Sequence, residues 1–195
     1  MFRSICVYSS SSDVIDRDYF EVAAELGREI ARHGDVMIYG GCSVGLMGAA
    51  ARAVHEENGK VVGVIPTFIE SRGLGYEKAD EMIVTRDMRE RKAAMEARAD
   101  AFIALPGGFG TLEEMLEIIT LKQLQQHSKP VVFLNHAGFY DPLASLFEHM
   151  FEQRFAKPIY REMYFFAANV QSAFDHLDRY RAPKFENKWF NTAEL

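Results

Sequence analysis

The run Leu105-Pro106-Gly107-Gly108-Phe109-Gly110-Thr111-Leu112-Glu113-Glu114 brings together residue types suited to chemistry on a phosphorylated molecule. It follows an apolar, strand-like segment, Ala101 to Leu105, and opens a strongly helical one. Gly107, Gly108 and Gly110 let backbone N–H groups meet an anion with no side chain in the way, and the helix that begins there adds its positive N-terminal end. Tight strand-to-helix turns also use glycine for purely structural reasons. The added Pro106, Thr111 and paired glutamates favour a phosphate cradle here.

Helical spacing separates the two glutamates. Glu114 shares a stripe with Ile118 and Leu121, whereas Glu113 lies with Glu117 and Thr120 on a more polar side. Leu112, Met115, Leu116, Ile119 and Leu124 form another apolar side, so this helix calls for burial by the sheet and by a partner subunit. Glu114 is then a desolvated, chemically poised carboxylate, while Glu113 is explained by the preference of acidic residues for helix starts. In the preceding helix Met88, Arg91 and Met95 follow i, i+3, i+7 spacing, which puts Arg91 on the apolar stripe with Lys92 at its border. An inward arginine needs an anionic partner, whether in a structural salt bridge or in a site, unless it snorkels past the methionines. A phosphate cradle, a carboxylate and an arginine suit cleavage of a nucleotide's N-glycosidic bond. That reaction passes through an oxocarbenium-like state which a carboxylate stabilises while it activates water. The cradle would fix the ribose through its 5′-phosphate.

These residues must be positioned by alternating strands and helices. Strand-like runs are expected at Ser4–Tyr8, Val36–Tyr39, Lys60–Ile65, Met82–Thr85, Ala101–Leu105 and Pro130–Leu134. Helical patterns cover Asp16–Arg32, Gly45–Glu57, Asp87–Arg98, Thr111 to about Gln126, Pro142–Phe155 and Gln171–Tyr180. Near-continuous apolar strands separated by helices imply a parallel sheet covered on both faces, a doubly wound Rossmann-like α/β fold. One domain is expected over residues 1–180, followed by a polar tail, 181–195, that carries Trp189 and Phe190. Thr67 to Asp80 is the longest candidate loop.

Other loops reach the same sheet edge, where ligands bind in such folds. Gly40-Gly41-Cys42-Ser43-Val44-Gly45-Leu46-Met47-Gly48 is a second glycine turn, and Ser9 to Ser12 follow the first strand. Ser10, Gly41 and Gly45 are candidates for phosphate or ribose contacts. The alternatives are a helix cap for the serines and a structural turn for the glycines. Neither glycine turn fits the dinucleotide fingerprint, and there is no Walker lysine.

The chain has 195 residues and a formal charge of −6, which argues against broad binding to nucleic acid or anionic membrane. No apolar stretch reaches the length of a membrane span. Cys6 and Cys42 read as structural thiols of a reducing, cytoplasmic compartment rather than as a disulfide.

Met88-x-x-Arg91-Lys92-x-x-Met95 followed by Pro106-Gly107-Gly108-x-Gly110-Thr111-x-x-Glu114 resembles the Lonely Guy family of cytokinin riboside 5′-monophosphate phosphoribohydrolases. Gly40-Gly41-x-x-x-Gly45-Leu46-Met47-Gly48 is similar to the family's other glycine turn. The resemblance runs from about Ile5 to Phe155. It implies a homodimer or larger assembly, no metal or organic cofactor, and release of a free N6-modified adenine and ribose 5-phosphate from a nucleoside 5′-monophosphate. It also implies catalysis by Arg91 and Glu114, with nucleotide binding by Lys92, Gly107, Gly108, Phe109, Gly110, Thr111, Leu112, Glu113 and Thr120. Many plant members carry a substrate-contacting glutamate in the loop after the third strand. The matching position here is Gly73, with Glu70 and Glu77 nearby. A decarboxylase label also attached to the family finds no pyridoxal phosphate site in these residues. AMP or general nucleoside-monophosphate cleavage, and nucleotide binding without turnover, stay open as alternatives.

Overall fold

Residues 3–184 are described in this computed structural model, so Trp189 and Phe190 lie outside the described residues. Seven strands form one parallel sheet: β1 (Ser4–Tyr8), β2 (Val36–Tyr39), β3 (Lys60–Pro66), β4 (Glu81–Thr85), β5 (Ala101–Ala104), β6 (Val131–Leu134) and β7 (Phe165–Ala167). Their order is β4-β3-β2-β1-β5-β6-β7. Chain direction from β1 runs outward through β2, and from β5 outward through β6, so the switch point of this Rossmann-like sheet lies between β1 and β5. There Tyr8 pairs with Ala104. Ligand crevices open beyond the strand ends at such a point.

The helices are α1 (Arg17–Arg32), α2 (Gly45–Glu56), α3 (Thr67–Glu70), α4 (Met88–Arg98), α5 (Phe109–Gln123), α6 (Asp141–Glu152) and α7 (Val170–Arg179). Alternation along β1 sends Ile5 and Val7 into a core with Leu26, Leu46 and Phe174 of α1, α2 and α7. Cys6 and Tyr8 face the other core, with Met95, Met115 and Phe147 of α4, α5 and α6. Both cysteines are buried and free. Among the described residues no helix is long and apolar enough to cross a membrane.

Three local features differ from the sequence expectation. The expected helix from Asp87 begins at Met88 because Asp87 is its N-cap, accepting from the Arg89 and Glu90 amides at 2.9 Å each. The expected loop 67–80 contains α3 and is laced to the first glycine turn. Leu74 O accepts from Ser43 N at 2.8 Å, the Tyr76 amide donates to Gly41 O at 2.9 Å, and Cys42 bridges Gly75. His55 fixes the loop's far end through Tyr76 Oη and Asp80 Oδ2, each at 3.0 Å. The third difference is the short strand β7, preceded by 3-10 turns at Pro158–Met163; neither was expected.

Candidate active site

A cleft of about 600 Å³ opens where β1, β2 and β5 end, and both glycine turns contribute to its walls. At its floor Arg91 Nη1 donates to Glu114 Oε1 at 2.8 Å, and Arg91 Nε donates to Val64 O at 3.0 Å. These side chains are only 8% and 9% exposed, so the pair is desolvated rather than a surface ion pair. Burial pushes the Glu114 carboxyl above the ordinary carboxylate range, and the Arg91 charge opposes that shift without cancelling it. Arg91 is the carboxylate's one hydrogen-bond partner among the described residues, which leaves Oε2 for a ligand or water.

Gly40, which the sequence reading did not single out as a site residue, makes this arrangement sterically feasible. A Cβ there would fall 1.9 Å from Arg91 Nη2, so any side chain would evict the guanidinium. Nothing local to Gly40 signals this, because the arginine arrives from a helix far along the chain.

The two glycine turns end differently. At α2, Gly45 N donates to Asp13 Oδ1 at 2.8 Å and Leu46 N to Ser10 O at 2.9 Å, so the chain itself occupies this helix start. Gly41 lies against Val64 and Ile65 of β3 and does not line the cleft. Gly41 and Gly45 thus hold the turn together, and Ser10 lines the cleft while its Oγ accepts from Ser12 N at 3.1 Å. At α5, the N-cap is Gly108, which has no side chain to close the helix start. The space where Cβ atoms of Gly108 and Gly110 would project is open within 4 Å. Gly108, Phe109, Gly110 and Thr111 line the cleft, with Phe109 94% exposed at its lip. Gly107 backs onto the Thr111 side chain. Helix-start amides left without a capping side chain and facing a cleft are free to take an anionic group.

The remaining sequence-derived residues stand apart from that cleft. Lys92 pairs with Glu113 and, at 2.7 Å, with Glu117 Oε2. Burial works against the Lys92 ammonium, but these two carboxylates outweigh it and hold its pKa above the usual value. Leu112 packs against the second core, and Thr120 is exposed with its hydroxyl donating to Leu116 O at 2.7 Å. Of the loop after β3, Phe68, Ile69, Arg72 and Leu74 line the cleft, whereas Glu70 and Glu77 are exposed outside it. Sequence reasoning also missed Lys122, fully buried in α5, whose Nζ donates to Met163 O at 2.8 Å. Burial lowers its pKa to about 8. Its i, i+4 spacing from Ile118 was a legible signal that its charge obscured.

Residues 47–177 match the family model described as "Possible lysine decarboxylase". The cytokinin riboside 5′-monophosphate phosphoribohydrolase LOG of Oryza sativa subsp. japonica is 43% identical over 185 residues, spanning 95% of this chain and 76% of that one. The Arabidopsis thaliana phosphoribohydrolases LOG3 and LOG7 are each 42% identical, covering 92% and 95% of this chain and 83% and 85% of their own. Among solved structures, the molybdenum cofactor carrier protein of Chlamydomonas reinhardtii superposes with a TM-score of 0.68 at 24% identity, over 92% of this chain and 98% of that one. The molybdenum cofactor binding protein of Rippkaea orientalis gives 0.68 at 23%, over 91% and 96%. At these identities the two structures speak to the fold alone. With the family model matched across its central portion and these relatives aligned over nearly its full length, the chain belongs to the Lonely Guy family, that of the cytokinin riboside 5′-monophosphate phosphoribohydrolases.

Proposed function

We propose that this protein hydrolyses the N-glycosidic bond of nucleoside 5′-monophosphates bearing an N6-modified adenine, releasing the free base and ribose 5-phosphate. The observation that carries the reading is the desolvated Glu114, held by Arg91 beside an open helix start. The 5′-phosphate rests on the amides of Gly108 to Thr111. Its ribose then lies over Glu114, whose carboxylate stabilises positive charge at C1′ and takes a proton from the attacking water. Arg91 keeps one carboxylate oxygen engaged and so orients the other. Phe68, Ile69, Leu74 and Met88 offer an apolar wall to the base and its N6 substituent. The test is release of base from N6-isopentenyladenosine 5′-monophosphate, AMP and other monophosphates. Cleavage of the isopentenyl nucleotide is expected to be fastest, and correctly folded protein that releases no base from any of them would refute the reading.

Gly40→Ala is expected to lower kcat about 100-fold, since a displacement near 1 Å at a reacting group costs that much. Wild-type turnover by this variant, in steady-state kinetics, would contradict the placement of Arg91.

The same reading includes a homodimer working in the reducing cytoplasm that the free Cys6 and Cys42 suit. Leu116 of α5 and Leu124, just past its end, are 42% and 43% exposed, and Leu116 borders a groove with Phe147, Met150 and Tyr160. A second copy covering this face would reach Lys92, Glu113 and Thr120, which lie on α4 and α5 outside the cleft. Leu116→Asp is expected to convert a dimer to a monomer in light scattering; a wild-type monomer would exclude this assembly.

A further inference from the structure

We propose that the Ser9 hydroxyl holds the attacking water together with Glu114, an inference that rests on the N-glycosidase reading above. Ser9 is the first residue beyond β1, the strand that lies between β2 and β5. Register pairs Val7 with Tyr39 on one side and Tyr8 with Ala104 on the other, so Ser9 emerges between the two glycine turns. It lines the same cleft as Gly40, Arg91, Gly108 and Glu114. It is only 8% exposed, yet its Oγ has no hydrogen-bond partner among the described residues.

The neighbouring serines are occupied differently. Ser10 Oγ accepts from Ser12 N at 3.1 Å and Ser12 Oγ from Val14 N at 3.3 Å, contacts that turn the chain toward α1. Ser9 has no such local duty. A buried hydroxyl without a partner is unfavourable, and its location in the cleft points to a partner that comes with the substrate.

Water fits that need. One of its protons is donated to Glu114 Oε2, which Arg91 leaves unengaged, and the other to Ser9 Oγ, so that an oxygen lone pair faces C1′. As the O–C1′ bond forms, the C1′–N bond breaks and its electron pair stays on the base. The water proton passes to Glu114 and ends on the departing base. Ser9 neither gains nor loses a proton.

The experiment compares wild type, Ser9→Ala and Ser9→Cys on N6-isopentenyladenosine 5′-monophosphate, in buffer and in buffer with methanol. Both variants are expected to lose about 10–100-fold in kcat. KM should change little, because the interaction belongs to the attacking water rather than to the bound ground state. Methanol offers one proton where water offers two, so the share of methyl riboside 5-phosphate should rise in the variants. Ser9→Cys keeps the side-chain size while weakening the hydrogen bond, and it carries the test if Ser9→Ala does not fold. Unchanged kcat in the folded variants would overturn the proposal, as would a raised KM alone, which would make the hydroxyl a ribose anchor. An inactive wild type would sink the N-glycosidase reading and this inference with it, whereas active variants beside an active wild type would sink this inference alone.

Discussion

Glu114→Gln is expected to abolish turnover almost completely, lowering kcat by about 10³-fold while nucleotide binding persists. Glutamine keeps the shape of the side chain and an oxygen for Arg91 Nη1, but it neither accepts the water proton nor balances charge at C1′. The environment makes the carboxylate hard to replace. Burial raises its pKa above the usual value of about 4.3, which strengthens it as a base while the opposing Arg91 charge favours the ionised form needed at neutral pH. The acid side of the wild-type rate profile should follow: as pH falls through the raised pKa, the carboxyl protonates and activity is lost earlier than for an exposed glutamate. Isothermal titration with the nucleotide alongside the kinetics checks both halves. A protein that only binds nucleotides would keep its affinity on substitution and have no rate to lose.

Arg91→Ala should be the most destabilising single change at the site. Taking away one partner of a buried ion pair leaves an uncompensated charge and typically costs about 3–5 kcal/mol. For a chain of this size that corresponds to a fall in Tm of roughly 6–20 °C. The Val64 carbonyl also loses its donor. Combining Arg91→Ala with Glu114→Gln removes the charge that causes the penalty, so the double variant should recover much of the stability and none of the activity. Thermal unfolding of the three variants decides the matter. If Arg91→Ala melts with the wild type, the pair is not the desolvated couple described above.

Parts of this site are written in local patterns of the sequence, and others only in the packing. Arg91 and Glu114 were legible because a charged residue on an apolar helical stripe is anomalous, and their pairing at 2.8 Å explains both anomalies at once. The two glycine turns were legible as strand-to-helix turns, but only the structure distinguishes the open start of α5 from that of α2, which Asp13 closes across the fold. Gly40 was not singled out within its glycine turn, nor Ser9 within the Ser9–Ser12 loop, for the same physical reason: what sets each apart depends on what arrives from distant segments, and single residues in loops leave no periodic trace. The segment from Pro158 to Ala167 was missed because a three-residue strand and short turns are below the length at which hydrophobic alternation can register. Lys92 shows the converse. Its border position was legible, but its engagement by Glu113 and Glu117 required the packing of α4 against α5.

The most direct measurement follows product formation from N6-isopentenyladenosine 5′-monophosphate by wild type and Glu114→Gln at matched binding saturation. Free N6-isopentenyladenine and ribose 5-phosphate are expected in equal amounts from the wild type, and almost none from the variant. Equal rates from the two proteins, or folded wild type that binds the nucleotide and leaves it intact, would contradict the assignment of Glu114 as the carboxylate that cleaves the N-glycosidic bond.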